Sequence, residues 1–198
     1  MNRLLVCDIS GVTGVQYEAL MAMATPARKK RASACRKRED AVCCLVAEAL
    51  LRYAFPNRDP ETLKRAPGGK PYWDGVHFNL SHSGSWVVLA VGENPVGVDV
   101  ECFREGRKTE DLARRYFTPE EQAFASGSQE CFLRIWTAKE ARLKWDGTGL
   151  GVPLNGFCVL GNAMGKTWLL PGAVMTLWAS DHPEKWKQTE ICEIVPYL

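Results

Sequence analysis

No stretch of this chain approaches the roughly 18 consecutive apolar residues that a membrane helix needs. The apolar segment Leu4–Val6 is too short for the core of a secretory signal. Eight cysteines are present, yet no two are spaced Cys-x-x-Cys, which argues against a zinc site. Histidine is scarce, at three residues (His77, His82 and His182), and the net charge is only +2. Gly68-Gly69-Lys70 lacks the Gly-x-x-x-x-Gly-Lys-Ser/Thr frame of a P-loop. Ser81-His82 lacks the nucleophile-elbow pattern of a serine hydrolase. These absences predict a protein of the reducing cytoplasm with free thiols and no membrane segment.

What the chain does have is local charge and clear periodicity. Seven basic residues fall between Arg28 and Arg38 on an otherwise nearly neutral protein, which points to an anionic ligand. The arm lacks interleaved aromatics, so nucleic acid is not the expected partner. Leu4–Ile9 reads as a strand. Thr25-Pro26 opens a helix, with threonine as cap and proline at the first helical position. Val42, Leu45, Val46, Ala49, Leu50 and Tyr53 mark one buried helix face. Val76–Leu80 and Trp86–Val91 read as strands joined through Ser81-His82-Ser83-Gly84, and Asp74-Gly75 as a turn. Thr118-Pro119-Glu120-Glu121 is a capping box, followed by a helix from about Phe132 to Trp145. Further strands are predicted over Phe157–Leu160, Thr167–Leu170, Val174–Ala179 and Ile191–Val195.

The two parts of the chain resemble each other. Val6-Cys7-Asp8-Ile9-Ser10 parallels the segment around Asp99, and a Thr-Pro helix start follows Asp8 by 17 residues and Asp99 by 19. This predicts an α+β protein of two similar halves related by a pseudo-twofold. Each half would be a small, mostly antiparallel sheet packed with helices. Residues 1–95 form the first half and 96–198 the second, with the ligand site in the cleft between them.

Two segments carry the chemistry. In Gly97-Val98-Asp99-Val100-Glu101, strand alternation puts both carboxylates on one face. In Trp136-Thr137-Ala138-Lys139-Glu140-Ala141-Arg142-Leu143-Lys144, Glu140 and Lys144 share a helix face. Each pair alone is compatible with a solvated strand or a surface ion pair worth about 0.3–0.5 kcal/mol. Brought together, three carboxylates and an ammonium suit a divalent cation and a phosphate ester. In the Ser81-His82-Ser83-Gly84 segment, hydroxyls and imidazole can donate to a phosphate, and Lys70 is a loop lysine able to do the same.

Gly69-Lys70-Pro71, Phe78–Gly84, Gly97–Glu101 and Trp136–Lys144, in this order, resemble the 4′-phosphopantetheinyl transferases of the Sfp type from Thr25 to about Pro153. That resemblance implies transfer of the phosphopantetheine arm of coenzyme A to a serine of an apo acyl or peptidyl carrier protein. It implies Asp99, Glu101 and Glu140 as ligands of Mg²⁺, with Mn²⁺ as a substitute, and Lys144 on the phosphate that transfers or departs. Ser81, His82 and Lys70 would hold coenzyme A. Arg28 and Arg31 would meet its 3′-phosphate where the family often has lysines, and Cys44 falls near where some members have a hydroxyl. Glu140 would take the serine proton, directly or through a water. The duplicated layout implies a single-chain site and a monomer, unlike the short holo-synthase type, which forms trimers. A non-catalytic coenzyme A or nucleic-acid binder is the rival reading. It would have no use for three carboxylates that repel phosphate.

Overall fold

In the computed structural model, the described residues are 2–66, 69–147, 151–180, 186 and 188–191. His182, Cys192, Gly68 and the part of the predicted last strand beyond residue 191 lie outside them. The elements run β1 (Arg3–Asp8), α1 (Gly14–Met23), α2 (Pro26–Ser33), α3 (Arg38–Ala54), β2 (Lys64–Arg65), β3 (Pro71–Tyr72), β4 (His77–Ser83), β5 (Trp86–Gly92), β6 (Val96–Cys102), α4 (Thr109–Tyr116), α5 (Pro119–Ala125), α6 (Gln129–Asp146), β7 (Gly165–Leu170), β8 (Ala173–Ala179) and β9 (Gln188–Ile191). The α+β class expected from the sequence is what the fold shows. Among the described residues, no helix is long and apolar enough to cross a membrane.

The strands form a four-stranded sheet, β4-β5-β1-β9, a three-stranded sheet, β6-β8-β7, and the small pair β2-β3. In each larger sheet the first strand of its segment pairs antiparallel with the last of a later hairpin: β1 with β5, β6 with β8. Among the described residues, three α-helices intervene each time. The same pattern of strand pairing thus occurs in both sheets. One element breaks it. β9 comes from the far end of the chain yet lies parallel to β1 in the first sheet.

Alternation along the strands divides the core. Leu5 and Cys7 of β1 face α3, whose Ala41–Ala47 and Ala49–Leu51 are all buried. Leu4 and Val6 face the other way and pack with Val96, Val98 and Val100 of β6 and with Met175 and Leu177 of β8. The two sheets are therefore stacked with an apolar layer between them, and helices cover the outer faces. On the outside of the second sheet, Phe132, Leu133 and Ala141 of α6 pack with Phe117 and Trp178.

Several expectations are corrected. The predicted strand over Phe157–Leu160 is not one. There the main-chain carbonyls of Leu154 and Phe157 accept from buried Lys139 Nζ at 2.7 and 2.6 Å, and Glu121 accepts from Val159 N–H at 2.8 Å. These backbone groups are bound to side chains, not to a neighbouring strand. Strand β4 runs on through Ser81-His82-Ser83, and only Gly84-Ser85 turns. Helices α1 and α4 add to the elements the sequence predicts, and Thr13 and Gln16 form a full capping box at the start of α1.

Candidate active site

Strand β6 pairs with β8 along one edge, which leaves its other edge needing hydrogen bonds. Side chains of β4 supply them. Asn79 Oδ1 accepts from Val98 N at 2.9 Å, Ser81 Oγ from Val100 N at 3.4 Å, and Ser83 Oγ from Cys102 N at 3.1 Å. Positions 79, 81 and 83 share one face of a strand. Alternate polar side chains thus join the two sheets where main-chain pairing stops. On the opposite face of β4, His82 is exposed.

Gly97 lets β6 meet α6. A Cβ at this position would lie 1.9 Å from the Ala141 carbonyl oxygen and 2.5 Å from Trp145 N, both main-chain atoms. Only glycine permits that approach. It brings Asp99 under Lys144, whose Nζ donates to Asp99 Oδ1 at 2.5 Å, to Ser81 Oγ at 3.0 Å and to the Val98 carbonyl at 3.2 Å. Ser81 Oγ donates to the same Asp99 oxygen at 2.8 Å. Asp99 Oδ2 is buried with no partner among the described residues. Burial holds the Asp99 carboxyl above the usual aspartate range, and Glu101 adds to this, although Lys144 and Ser81 oppose it.

Glu101, two residues on, is half-buried. Its Oε2 accepts from Arg107 Nη2 at 3.0 Å and from Ser83 Oγ at 3.4 Å. Glu140 has no hydrogen-bonding partner among the described residues. Its carboxyl is raised first by burial, then by the charges of Asp99 and Glu101, with Lys144 opposing. The three predicted carboxylates are therefore within electrostatic reach of one another.

Among the described residues, no three carboxylates, imidazoles or thiols are gathered into a ready-made metal cage. The donor set still fits a hard divalent cation. Its oxygens are carboxylate, Asp99 Oδ2 is unspent among the described residues, and burial together with the nearby Asp99 and Glu101 charges raises Glu140. The remaining ligands of such an ion would be substrate phosphates and water.

A cavity of about 260 Å³ opens beside this cluster. It is lined by Lys70, Pro71, Asn79 and Leu80 from one segment and by Glu140, Leu143 and Lys144 from the other. Lys70 Nζ donates to the Lys144 carbonyl, and its pKa is lowered by burial and by the Lys144 charge. Desolvation lowers the His82 pKa, and Lys144 and Arg31 lower it further, so His82 senses both the cluster and the basic arm.

Of the predicted residues, Ser81 differs most from expectation. Its hydroxyl is buried and engaged with Asp99, Lys144 and Val100, so that side chain belongs to the carboxylate cluster. The basic arm divides in two. Arg31 is exposed, whereas Arg28 Nε donates to Glu48 at 3.3 Å and its Nη1 lies 3.7 Å from Cys44 Sγ. Both line a second cavity of about 420 Å³ together with Arg65. Glu48 is buried at 2 % exposure, accepts from Thr25 N and Oγ1 at 2.8 Å each and from Arg52 at 3.1 Å, and so anchors the start of α2 on α3. Glu48 and Arg107 are not among the residues the sequence singles out. A glutamate within an apolar helix face, as Glu48 is, was the one signal available.

Comparison with known proteins agrees with this geometry. The model of the 4′-phosphopantetheinyl transferase superfamily matches residues 95–189, which hold both chemical motifs. A Bacillus subtilis protein named 4′-phosphopantetheinyl transferase is 34% identical over 157 residues, covering 73% of this chain and 69% of its own. The transferase Sfp of Bacillus subtilis strain 168 is 30% identical over the same shares of each chain. The transferase gsp of Aneurinibacillus migulanus is 35% identical over 133 residues, 61% of this chain and 55% of its own. Together these matches reach across both sheets, and the chain belongs to the Sfp-type 4′-phosphopantetheinyl transferase family.

Proposed function

We propose that this protein transfers the 4′-phosphopantetheine arm of coenzyme A to a serine of an apo acyl or peptidyl carrier protein, releasing 3′,5′-ADP, in a Mg²⁺-dependent reaction in the cytoplasm. The observation that carries the reading is the meeting of Asp99, Glu140 and Lys144 beside a cavity that both segments line. The division into residues 1–95 and 96–198, a pseudo-twofold between them, a catalytic cleft at their junction and a monomeric state are part of the proposal. The repeated strand pairing supports the first two.

In the transfer, the serine oxygen bonds to the phosphorus nearer the pantetheine. The bond from that phosphorus to the bridging oxygen breaks, and 3′,5′-ADP leaves with the electron pair. Lys144 and Lys70 supply positive charge where phosphoryl oxygens gain negative charge. Asp99, Glu101 and Glu140 would hold Mg²⁺, which when bound supplies charge neutralisation on the pyrophosphate. Glu140 accepts the serine proton, directly or through a water, and its raised pKa makes it a stronger base than an exposed glutamate. His82 and Arg31 face the nucleotide end, and Arg28 supports Arg31 through α2. Ser81 holds Asp99 and Lys144 in place.

The test is incubation with coenzyme A, Mg²⁺ and a panel of apo carrier proteins, followed by intact mass of each carrier. The expected result is gain of the phosphopantetheine arm by at least one carrier, abolished by EDTA. Tight binding of coenzyme A with no carrier modified would overturn transfer in favour of a binding role.

A further inference from the structure

Asp99 and Glu101 share a pattern that the sequence does not announce. Each has one carboxylate oxygen spent on protein donors and one left over. Asp99 Oδ1 takes Ser81 and Lys144, and Oδ2 takes nothing among the described residues. Glu101 Oε2 takes Arg107 and Ser83, and no hydrogen bond reaches its Oε1 among the described residues.

Arg107 lies in the connection between β6 and α4, and its side chain is only 15% exposed. Its guanidinium carbon sits 5.9 Å from the ring centre of Phe132, a fully buried residue of α6. The other terminal nitrogen, Nη1, is buried without a partner among the described residues. A surface arginine that merely found a nearby carboxylate would not bury an unpaired donor. Arg104 is the contrast: it approaches the same Glu101 oxygen at 3.9 Å with 60% of its side chain exposed.

We infer that Arg107 is a positioning residue for Glu101, clamped between Phe132 and the carboxylate, which fixes one oxygen and presents the other to a divalent cation. The inference rests on the metal reading of Asp99, Glu101 and Glu140. It assigns a role to a residue outside the chemical motifs.

Charge and positioning predict opposite signs, and this makes the inference testable. Arg107 is a cation close to a cation site. If charge were its only effect, Arg107→Ala would tighten metal binding. If it orients the ligand, Arg107→Ala weakens binding, by roughly tenfold or more as for other residues that orient metal ligands. A purely structural role would lower the melting temperature and leave metal affinity unchanged. The measurement is a Mn²⁺ titration followed by electron paramagnetic resonance, with coenzyme A present, on the wild type, Arg107→Ala, Arg107→Lys and Arg104→Ala. Expected is weakened binding in Arg107→Ala and a smaller loss in Arg107→Lys, with Arg104→Ala unchanged or tighter. Should Arg107→Ala fail to fold, Arg107→Lys decides, and unaltered affinity in it overturns the inference. Affinity equal to or tighter than wild type in folded Arg107→Ala overturns the inference alone. A wild type that binds no Mn²⁺ overturns the metal reading with it.

Discussion

Lys144 and Asp99 form an ion pair that reaches across 45 positions of sequence, with Nζ 2.5 Å from Oδ1. The pair is unequal. The Asp99 side chain is 8% exposed and that of Lys144 is 28%. Burial therefore costs the carboxylate more than it costs the ammonium, and Asp99 keeps a raised pKa despite its partner. Because the folded value lies above the ordinary one of 3.8, the folded protein holds this proton more tightly than the unfolded chain. The associated stability is complete below the ordinary value and is lost as pH rises through the raised one. Asp99→Asn removes that loss while keeping an acceptor for Ser81 and Lys144. Relative to wild type in EDTA, Asp99→Asn should gain stability as pH rises from acid to neutral. Asp99→Ala also deletes the acceptor and should lose about 1–3 kcal/mol. Both should abolish transfer. Thermal unfolding across pH checks the first two outcomes, and a carrier-modification assay checks the third. A large loss of stability in Asp99→Asn at neutral pH would show that the charge is there for the fold.

Gly97→Ala should damage the protein as a whole. The added methyl meets the main chain of α6 at Ala141 and Trp145, which cannot swing aside as a side chain would. Strand β6 must move away from the helix, and Asp99 with it. The cost should reach or exceed the upper end of the about 1–3 kcal/mol typical of overpacking. Denaturant titration would measure it. A variant as stable as wild type would mean that β6 and α6 are further apart than described.

The sequence carried more of the site than of its supports. Asp99, Glu101, Glu140 and Lys144 were legible because strand and helix spacings place each pair on one face, and the structure brings those faces together. Asn79 falls in the strand the sequence predicts, but Ser81 and Ser83 read there as the connection after it, whereas both continue β4. Polar residues between two apolar strands look like a loop, yet here their alternation serves the unpaired edge of β6. The same limit hid Phe157–Leu160, where a buried lysine and glutamate do the work of a neighbouring strand. Arg107 could not be found at all, since its meaning depends on Phe132 and Glu101, which only the fold places beside it. The position of β9 in the first sheet was equally out of reach, because periodicity says nothing about which strand is the neighbour.

The basic arm gives a prediction that separates binding from support. Arg31 is exposed and His82 lies within its electrostatic influence, so both should read the 3′-phosphate. Arg31→Ala and His82→Ala should weaken coenzyme A binding by about 10- to 150-fold, the 1.5–3 kcal/mol expected for a hydrogen bond to a charged group. Binding of 3′-dephospho-coenzyme A should change little. Arg28→Ala should weaken both folding and binding, because it also strips a partner from buried Glu48. Calorimetric titration with the two ligands distinguishes these outcomes. Equal losses for both ligands in Arg31→Ala would remove the arm from the 3′-phosphate.

Glu140 and Lys144 are four apart on α6, and a surface ion pair at that spacing would be worth only a few tenths of a kcal/mol. The structure gives Lys144 to Asp99 instead, and Glu140 is left without a hydrogen-bonding partner among the described residues. Removing the Glu140 charge should therefore cost little stability, and above the ordinary glutamate value of 4.5 it should gain some, since burial and Asp99 disfavour that charge in the fold. Turnover should behave oppositely. Glu140→Gln should lower it by about 10²–10⁴-fold if Glu140 takes the serine proton, with loss of one limb of the pH–rate profile and no recovery at raised Mg²⁺ or Mn²⁺. Partial recovery with metal would assign Glu140 to metal binding alone. Lys144→Ala should reduce turnover at saturating coenzyme A more than it weakens coenzyme A binding, because its charge is needed most as the phosphoryl bonds change. Steady-state kinetics over pH and metal concentration reads all of these. Near-normal turnover in both variants would remove this helix from the chemistry, whatever the family resemblance implies.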